Sequence, residues 1–249
     1  MMKTTMAVLA AGLILTACVT PRHGGGEAHW GYTGDIGPAY WGSLDPAFEA
    51  CAEGKNQSPI DLTGLVEAKL PAIRFNYNAK PASILNNGHT VQINYAPGST
   101  LTVDGQVYMF KQVHFHAPSE NLINGISFPM EAHFVHADKN GALAVVAVMY
   151  VKGRKNNAIE KFWARMPLNS GEQTALADQV HPLDLMPAGR GYYRFNGSLT
   201  TPPCTEGVKW LVMKDAVSVS AQQVQAFERV MRHPNNRPVQ PHNARYVLE

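Results

Sequence analysis

Two short segments carry histidines at spacings that suit metal binding. The first is Gln112-Val113-His114-Phe115-His116-Ala117-Pro118-Ser119-Glu120; the second is Glu131-Ala132-His133-Phe134-Val135-His136. In an extended strand, residues two apart point to the same face, so His114 and His116 project together while Phe115 packs behind them. Two imidazoles held side by side make half of a metal site. If the intervening residues, with Asn124-Gly125 among them, turn the chain back, the second segment is the neighbouring strand. His133 then completes three nitrogen ligands. Three histidines with a fourth tetrahedral position left for water describe a catalytic zinc site, whereas a structural site is closed by a fourth side chain. Gln112 and Glu131 each stand two residues before a ligand, where they can accept the imidazoles' other N–H groups and orient the rings. The remaining histidines lack such a pattern. Parity puts His136 on the face opposite His133, as a hydrogen-bonded or solvated side chain, and His23, His29, His181, His233 and His242 read as surface residues.

Strands must position these segments, and the surrounding periodicity is indeed two. Val91, Ile93 and Tyr95 alternate with Gln92 and Asn94, and Asp104-Gly105 separates Leu101–Val103 from Val107–Phe115 as a hairpin turn does. Leu143 to Val151 is a continuous apolar run rich in valine, which predicts a strand buried on both faces; Val208 to Val212 predicts another. Helical spacing occurs twice. Ile159, Phe162, Trp163 and Met166 fall on one face, and Ser220 with Gln223 forms a capping box ahead of Val224, Phe227 and Met231. No linker or repeat interrupts the chain after Trp30. One β-dominated domain with small peripheral helices is expected.

Composition agrees with that picture. The chain has 249 residues, 45% of them apolar, which is enough for a sizeable core and rules out disorder. A net charge of +2 with no basic run argues against a nucleic-acid partner. The start is different in texture: Lys3, an apolar stretch from Met6 to Leu15, then Leu15-Thr16-Ala17-Cys18. This pattern describes a signal peptide over residues 1–17, too short to remain as a spanning helix. Leu-Thr-Ala-Cys also resembles the lipobox of bacterial lipoproteins, in which the cysteine carries lipid; the alternative is plain cleavage near Ala17. Residues 18–28, with Gly24-Gly25-Gly26, read as a tether, and residues 29–249 as the domain. Three cysteines leave one unpaired in an exported protein. With Cys18 lipidated, Cys51 and Cys204 remain for an oxidising compartment such as the periplasm to pair, the alternative being two free thiols.

The histidine segments do not stand alone. Together with Ser198-Leu199-Thr200-Thr201-Pro202-Pro203-Cys204, Trp30-Gly31-Tyr32, Asn56-Gln57-Ser58-Pro59-Ile60, Asn86-Asn87-Gly88-His89 and Asn236-Arg237-Pro238-Val239-Gln240-Pro241, they resemble the alpha carbonic anhydrases in order and spacing. The resemblance implies an α+β fold with a large, twisted, mostly antiparallel sheet of about ten strands and a zinc ion at the bottom of a cone-shaped cleft. It implies a lyase that reversibly hydrates carbon dioxide to bicarbonate and a proton, by zinc-hydroxide attack, with one zinc per chain on His114, His116 and His133. Thr200 would then accept the hydroxide proton and donate to Glu120. Val135, Val145, Leu199, Thr201 and Trp210 would line the substrate pocket. His89 falls at the proton-shuttle position, and Tyr32, Asn87 and Gln92 at positions that hold proton-carrying waters. A cis bond between Pro202 and Pro203 and inhibition by sulfonamides and small anions follow from the same resemblance; the sequence leaves the oligomeric state open, a homodimer included. Ala117-Pro118 replaces the animal enzymes' tryptophan-glycine pair, which, like the Cys51 and Cys204 pair, resembles the bacterial branch; His242 stands where leucine is usual.

Two other functions compete. His114, His116 and Glu120 satisfy the first half of a cupin's iron or manganese ligand pattern, but the glycines are misplaced and no second half follows. A non-enzymatic binding member of the carbonic anhydrase fold would typically lack a ligand, and here all three are present.

Overall fold

The computed structural model describes residues 29–176 and 180–249, so the expected leader over 1–17, the tether over 18–28, Cys18 and His23 lie outside the described residues. A 13-stranded twisted sheet dominates the described chain. Its centre is the strand Gln106–His116, paired antiparallel with Val91–Tyr95 on one side and with Met130–Ala137 on the other. Met130–Ala137 continues antiparallel to Leu143–Lys152. That strand runs parallel to Glu206–Met213, which pairs antiparallel with Tyr192–Ser198. The unbranched path through the sheet has ten strands, and the three beside it are Arg74–Asn76, Thr100–Val103 and Val217–Val219.

Leu143–Lys152 shows why the apolar run forms a central strand. Val145, Ala147 and Met149 enter one core cluster, and Ala144, Val146, Val148 and Tyr150 enter the other. Each such side chain fully withdrawn from water contributes roughly 1.5–3 kcal/mol, so a polar residue on either face would be costly. Val91–Tyr95 alternates as its sequence predicts, with Val91, Ile93 and Tyr95 buried and Gln92 and Asn94 facing the other way. Asp104 and Gly105 turn the chain at φ 53° and 73°, the left-handed pair a two-residue hairpin requires.

Both expected helices form. Asn157–Trp163 is capped by the Asn156 side chain, which accepts from the Ala158 and Ile159 N–H groups. It ends before Met166, which packs on the core from the following turn; Pro167 disfavours helical backbone at that point. Ala221–Met231 opens with the Ser220–Gln223 capping box and closes at Arg232 in left-handed conformation, φ 65°. These helices cover one face of the sheet, packing Ile159, Phe162, Val224, Phe227 and Met231 against it. On the opposite side a small cluster of Trp41, Cys51 and Cys204 is rimmed by Trp30 and Tyr32, with Cys51 and Cys204 joined as a disulfide. The Pro202–Pro203 bond is cis, as are those before Pro59 and Pro118.

Candidate metal centre

The ligand strand does not alternate uniformly. Phe110 lies opposite His136 and Gln112 opposite Val135, so one extra residue is accommodated at Lys111 as a bulge. Before the bulge Tyr108 and Phe110 face the main core; after it Val113 and Phe115 do. The shift therefore turns His114 and His116 to the face opposite the main core, beside His133. His114 pairs with His133 and His116 with Glu131 across the ladder. The three imidazole centroids stand 5.0, 5.2 and 4.6 Å apart, and one nitrogen of each lies within 4.8 Å of the other two.

Each ring has its second nitrogen tied down. His114 Nδ1–H donates to Gln112 Oε1 at 2.9 Å, His116 Nδ1–H to the Asn235 carbonyl at 2.7 Å, and His133 Nε2–H to Glu131 Oε1 at 2.9 Å. These acceptors set the tautomers and leave Nε2, Nε2 and Nδ1 free toward a common point. Removal from water holds the pKa of all three below the ordinary histidine value; at His114 and His133 the mutual repulsion of the rings adds to it. Neutral imidazole, the form that donates a lone pair, is thus the resting state.

A second layer encloses them. Glu131 Oε2 accepts from the Glu120 and Asn121 N–H groups at 2.7 and 2.9 Å, and its Oε1 also accepts from Asn121 Nδ2 at 2.7 Å. Glu120 Oε1 accepts from the Arg237 N–H at 2.9 Å. Its Oε2 lies 3.5 Å from His116 Nε2 and 3.9 Å from His133 Nδ1, and has no hydrogen-bond partner among the described residues. Burial pushes both carboxyls up, opposed at Glu120 by the Arg237 N–H and the neighbouring Thr200 hydroxyl, and at Glu131 by Asn121. The Arg237 guanidinium is itself buried, donating to Gln57 Oε1, the Ser58 carbonyl and the Cys51 carbonyl at 2.7–2.9 Å. Asn121, Asn235 and Arg237 are missed by sequence reasoning. Asn235 is the most connected: Oδ1 accepts from the Ala117 N–H, and Nδ2 donates to the His89 and Phe115 carbonyls.

Val135, Val145, Leu199 and Trp210 come together in one apolar cluster beside the histidines, with the Trp210 ring 4.9 Å from that of His133. Thr200 is buried and Thr201 half-buried, and the Thr201 carbonyl accepts from the Cys204 N–H at 2.8 Å. His89 stacks on Trp30 with centroids 3.7 Å apart and planes 8° from parallel. Asn87 shapes that turn, its Oδ1 accepting from the His89 and Thr90 N–H groups at 2.9 and 2.8 Å. Gln92 lies opposite His114 in register and donates to Asn94 Oδ1 at 2.7 Å. Tyr32 stays protonated: burial, then the nearby Glu120 charge, pushes its hydroxyl well above its usual pKa.

His136 faces away from the metal-ligating set, as parity requires, but it is fully buried: it is 2.6 Å from the Tyr77 hydroxyl and 3.2 Å from the Ala144 carbonyl. Burial pushes its pKa down to about 3. His29 and His181 are exposed, His233 and His242 half-buried. Glu120, the third ligand in a cupin pattern, is not one of the clustered donors.

The eukaryotic-type carbonic anhydrase family matches residues 36–249. A carbonic anhydrase of Neisseria gonorrhoeae is 49% identical over 248 residues, 98% of each chain. The solved alpha carbonic anhydrase of Thermovibrio ammonificans, a complex with sulfanilamide, is 47% identical with a TM-score of 0.88, covering 90% of this chain and 100% of that one. Dioscorin DB3S of Dioscorea polystachya is similar as well, 36% identical over 222 residues, 85% of this chain and 82% of its own. Matched almost from end to end, and with the three histidines brought within reach of one ion, the chain belongs to the eukaryotic-type, or alpha, carbonic anhydrase family.

Proposed function

We propose that the protein is a zinc-dependent carbonic anhydrase that converts carbon dioxide and water to bicarbonate and a proton, and back. One observation carries this reading: three neutral imidazoles, each fixed by a hydrogen bond behind it, present free nitrogens to one point beside an apolar wall. The donor set fits zinc. His116 Nε2 and Glu120 Oε2 are buried without hydrogen-bond partners, orphaned groups that a bound cation and its water would satisfy. When bound to His114, His116 and His133, zinc supplies Lewis-acid activation of a water near neutral pH.

The chain's own residues do the rest. Val135, Val145, Leu199 and Trp210 receive carbon dioxide, which offers no N–H or O–H to hydrogen-bond, next to the activated water; Thr201 borders the same space. Glu120, with Oε1 held by the Arg237 N–H and Oε2 left open beside the Thr200 hydroxyl, would accept from Thr200 and leave the Thr200 oxygen as an acceptor toward the activated water. Hydration yields one proton per turnover, and that proton must leave the site. His89 takes that proton through waters held by Tyr32, Asn87 and Gln92. Burial first, and then the His29 and His233 charges, lower the His89 pKa, so at neutral pH the ring is unprotonated and ready to accept. His89→Ala is expected to retain zinc and kcat/KM while kcat falls about 100-fold or more, with added imidazole restoring it. Full kcat without imidazole would remove His89 from the proton path.

Stopped-flow hydration with a pH indicator, on protein from Thr20 onward, tests the whole reading. Fast hydration that vanishes on zinc removal and returns on zinc addition is the expected result. Zinc bound without hydration would instead favour a binding protein on the same fold. We place the enzyme in the periplasm, held by lipid on Cys18; the Cys51–Cys204 disulfide supports an oxidising compartment. Sulfonamides and small anions are the inhibitors expected at the three-histidine site.

A further inference from the structure

A second histidine stands beside the turn that carries His89, lining a cavity with Gly88, and the reaction described above leaves it unused. His233 follows the helix Ala221–Met231 and lies two residues before Asn235. Asn235 Nδ2 donates to the His89 carbonyl at 3.0 Å, while the Asn235 carbonyl accepts from His116 Nδ1–H at 2.7 Å. The segment bearing His233 is thereby pinned to the His89 turn and to the ligand strand at once. Its ring stands 5.9 Å from that of Tyr32, which is 5.7 Å from Trp30, the tryptophan stacked on His89. Gly88 and His233 line one cavity of about 300 Å³, which opens His233 to solvent beside the turn that carries His89.

The chemistry of the ring suits proton transfer. His233 Nδ1–H donates to the Pro234 carbonyl at 3.0 Å, which leaves the Nε2 lone pair free to take a proton. Its charge acts on His89, its ring faces that of Tyr32, and among the described residues no carboxylate forms an ion pair with it. His29 and His233 both act on His89 in the direction that opposes its protonation.

We propose that His233 is a second proton-transfer residue, receiving the proton from His89 in its Trp30-stacked position and delivering it to external buffer. The inference rests on the carbonic anhydrase reading. In the transfer an N–H bond breaks at His89 and one forms at His233 Nε2; that proton then passes to a buffer base, leaving both rings neutral. At low buffer concentration, His233→Ala is expected to lower kcat by roughly 2- to 5-fold, well short of the loss of a primary proton-transfer group. Zinc content and kcat/KM stay at the parent values, and concentrated imidazole restores kcat. Because His233 acts after His89, the double variant His89→Ala/His233→Ala is expected to be no slower than His89→Ala alone. An unchanged kcat at low buffer overturns the relay, as does a joint fall of kcat and kcat/KM, or a further loss in the double variant. A parent enzyme that fails to hydrate carbon dioxide overturns both readings, whereas an active parent matched by His233→Ala overturns the relay alone.

Discussion

Replacing His114 with alanine is expected to abolish carbon dioxide hydration and strip the protein of zinc. Apparent binding free energies of about 10–16 kcal/mol for four-ligand zinc sites put one ligand at about 2.5–4 kcal/mol. Losing it weakens binding by about 100- to 1000-fold. The rate suffers more than the affinity, because any zinc retained on His116 and His133 would be misplaced against Val145 and Leu199. His114 is the suitable choice among the three. It is half-buried and its one side-chain partner is Gln112, so its removal leaves the Glu131–Asn121 and His116–Asn235 contacts standing. Zinc per chain by elemental analysis, with stopped-flow hydration on the same sample, reads both effects. Full zinc and full rate in this variant would exclude the three-histidine site.

Removing the Cys51–Cys204 bridge is expected to cost the largest share of stability. The bridge joins residues 153 apart, and in the chain-entropy model a loop of that length constrains the unfolded chain by about 5 kcal/mol. Local contacts add to the expectation. The Cys204 N–H donates to the Thr201 carbonyl, Gln57 Nε2 donates to the Cys204 carbonyl at 3.0 Å, and Arg237 donates to the Cys51 carbonyl at 2.9 Å. The double change Cys51→Ser/Cys204→Ser is expected to lower unfolding free energy by about 3–5 kcal/mol in urea titrations. Reductant should produce the same shift in the parent and none in the variant. Coincident midpoints for parent and variant would show that the bridge contributes nothing.

Much of the centre is legible in the amino-acid sequence because two-residue periodicity states which side chains share a face. That is how His114 and His116, and then His133, group themselves, and how Leu143–Lys152 declares itself central. The same periodicity hides the bulge at Lys111. Tyr108 and Phe110 stand out of phase with Val113 and Phe115, and that break in alternation is the signal that would have located it. Pairing direction is less accessible. Leu143–Lys152 runs parallel to Glu206–Met213 and to Val217–Val219, but a strand apolar on both faces says only that both are covered, not which neighbour lies alongside. Asn235 and Arg237 escape for another reason. They work largely through backbone atoms of residues more than a hundred positions away, and spacing along the chain carries no trace of such contacts.

The hydrogen bond from His116 to the Asn235 carbonyl has a thermodynamic consequence. Because one end of it orients a metal ligand and the other anchors the C-terminal segment, metal affinity and docking of that segment are coupled equilibria. Coupling between equilibria is reciprocal: whatever free energy the docked segment adds to metal binding, bound metal returns to the docking. The stretch from Asn235 to Arg237, which also donates to Glu120 and to the Ser58 and Cys51 carbonyls, would thus be linked to the metal, and chelation would loosen that segment by the amount that its fraying weakens the metal's hold.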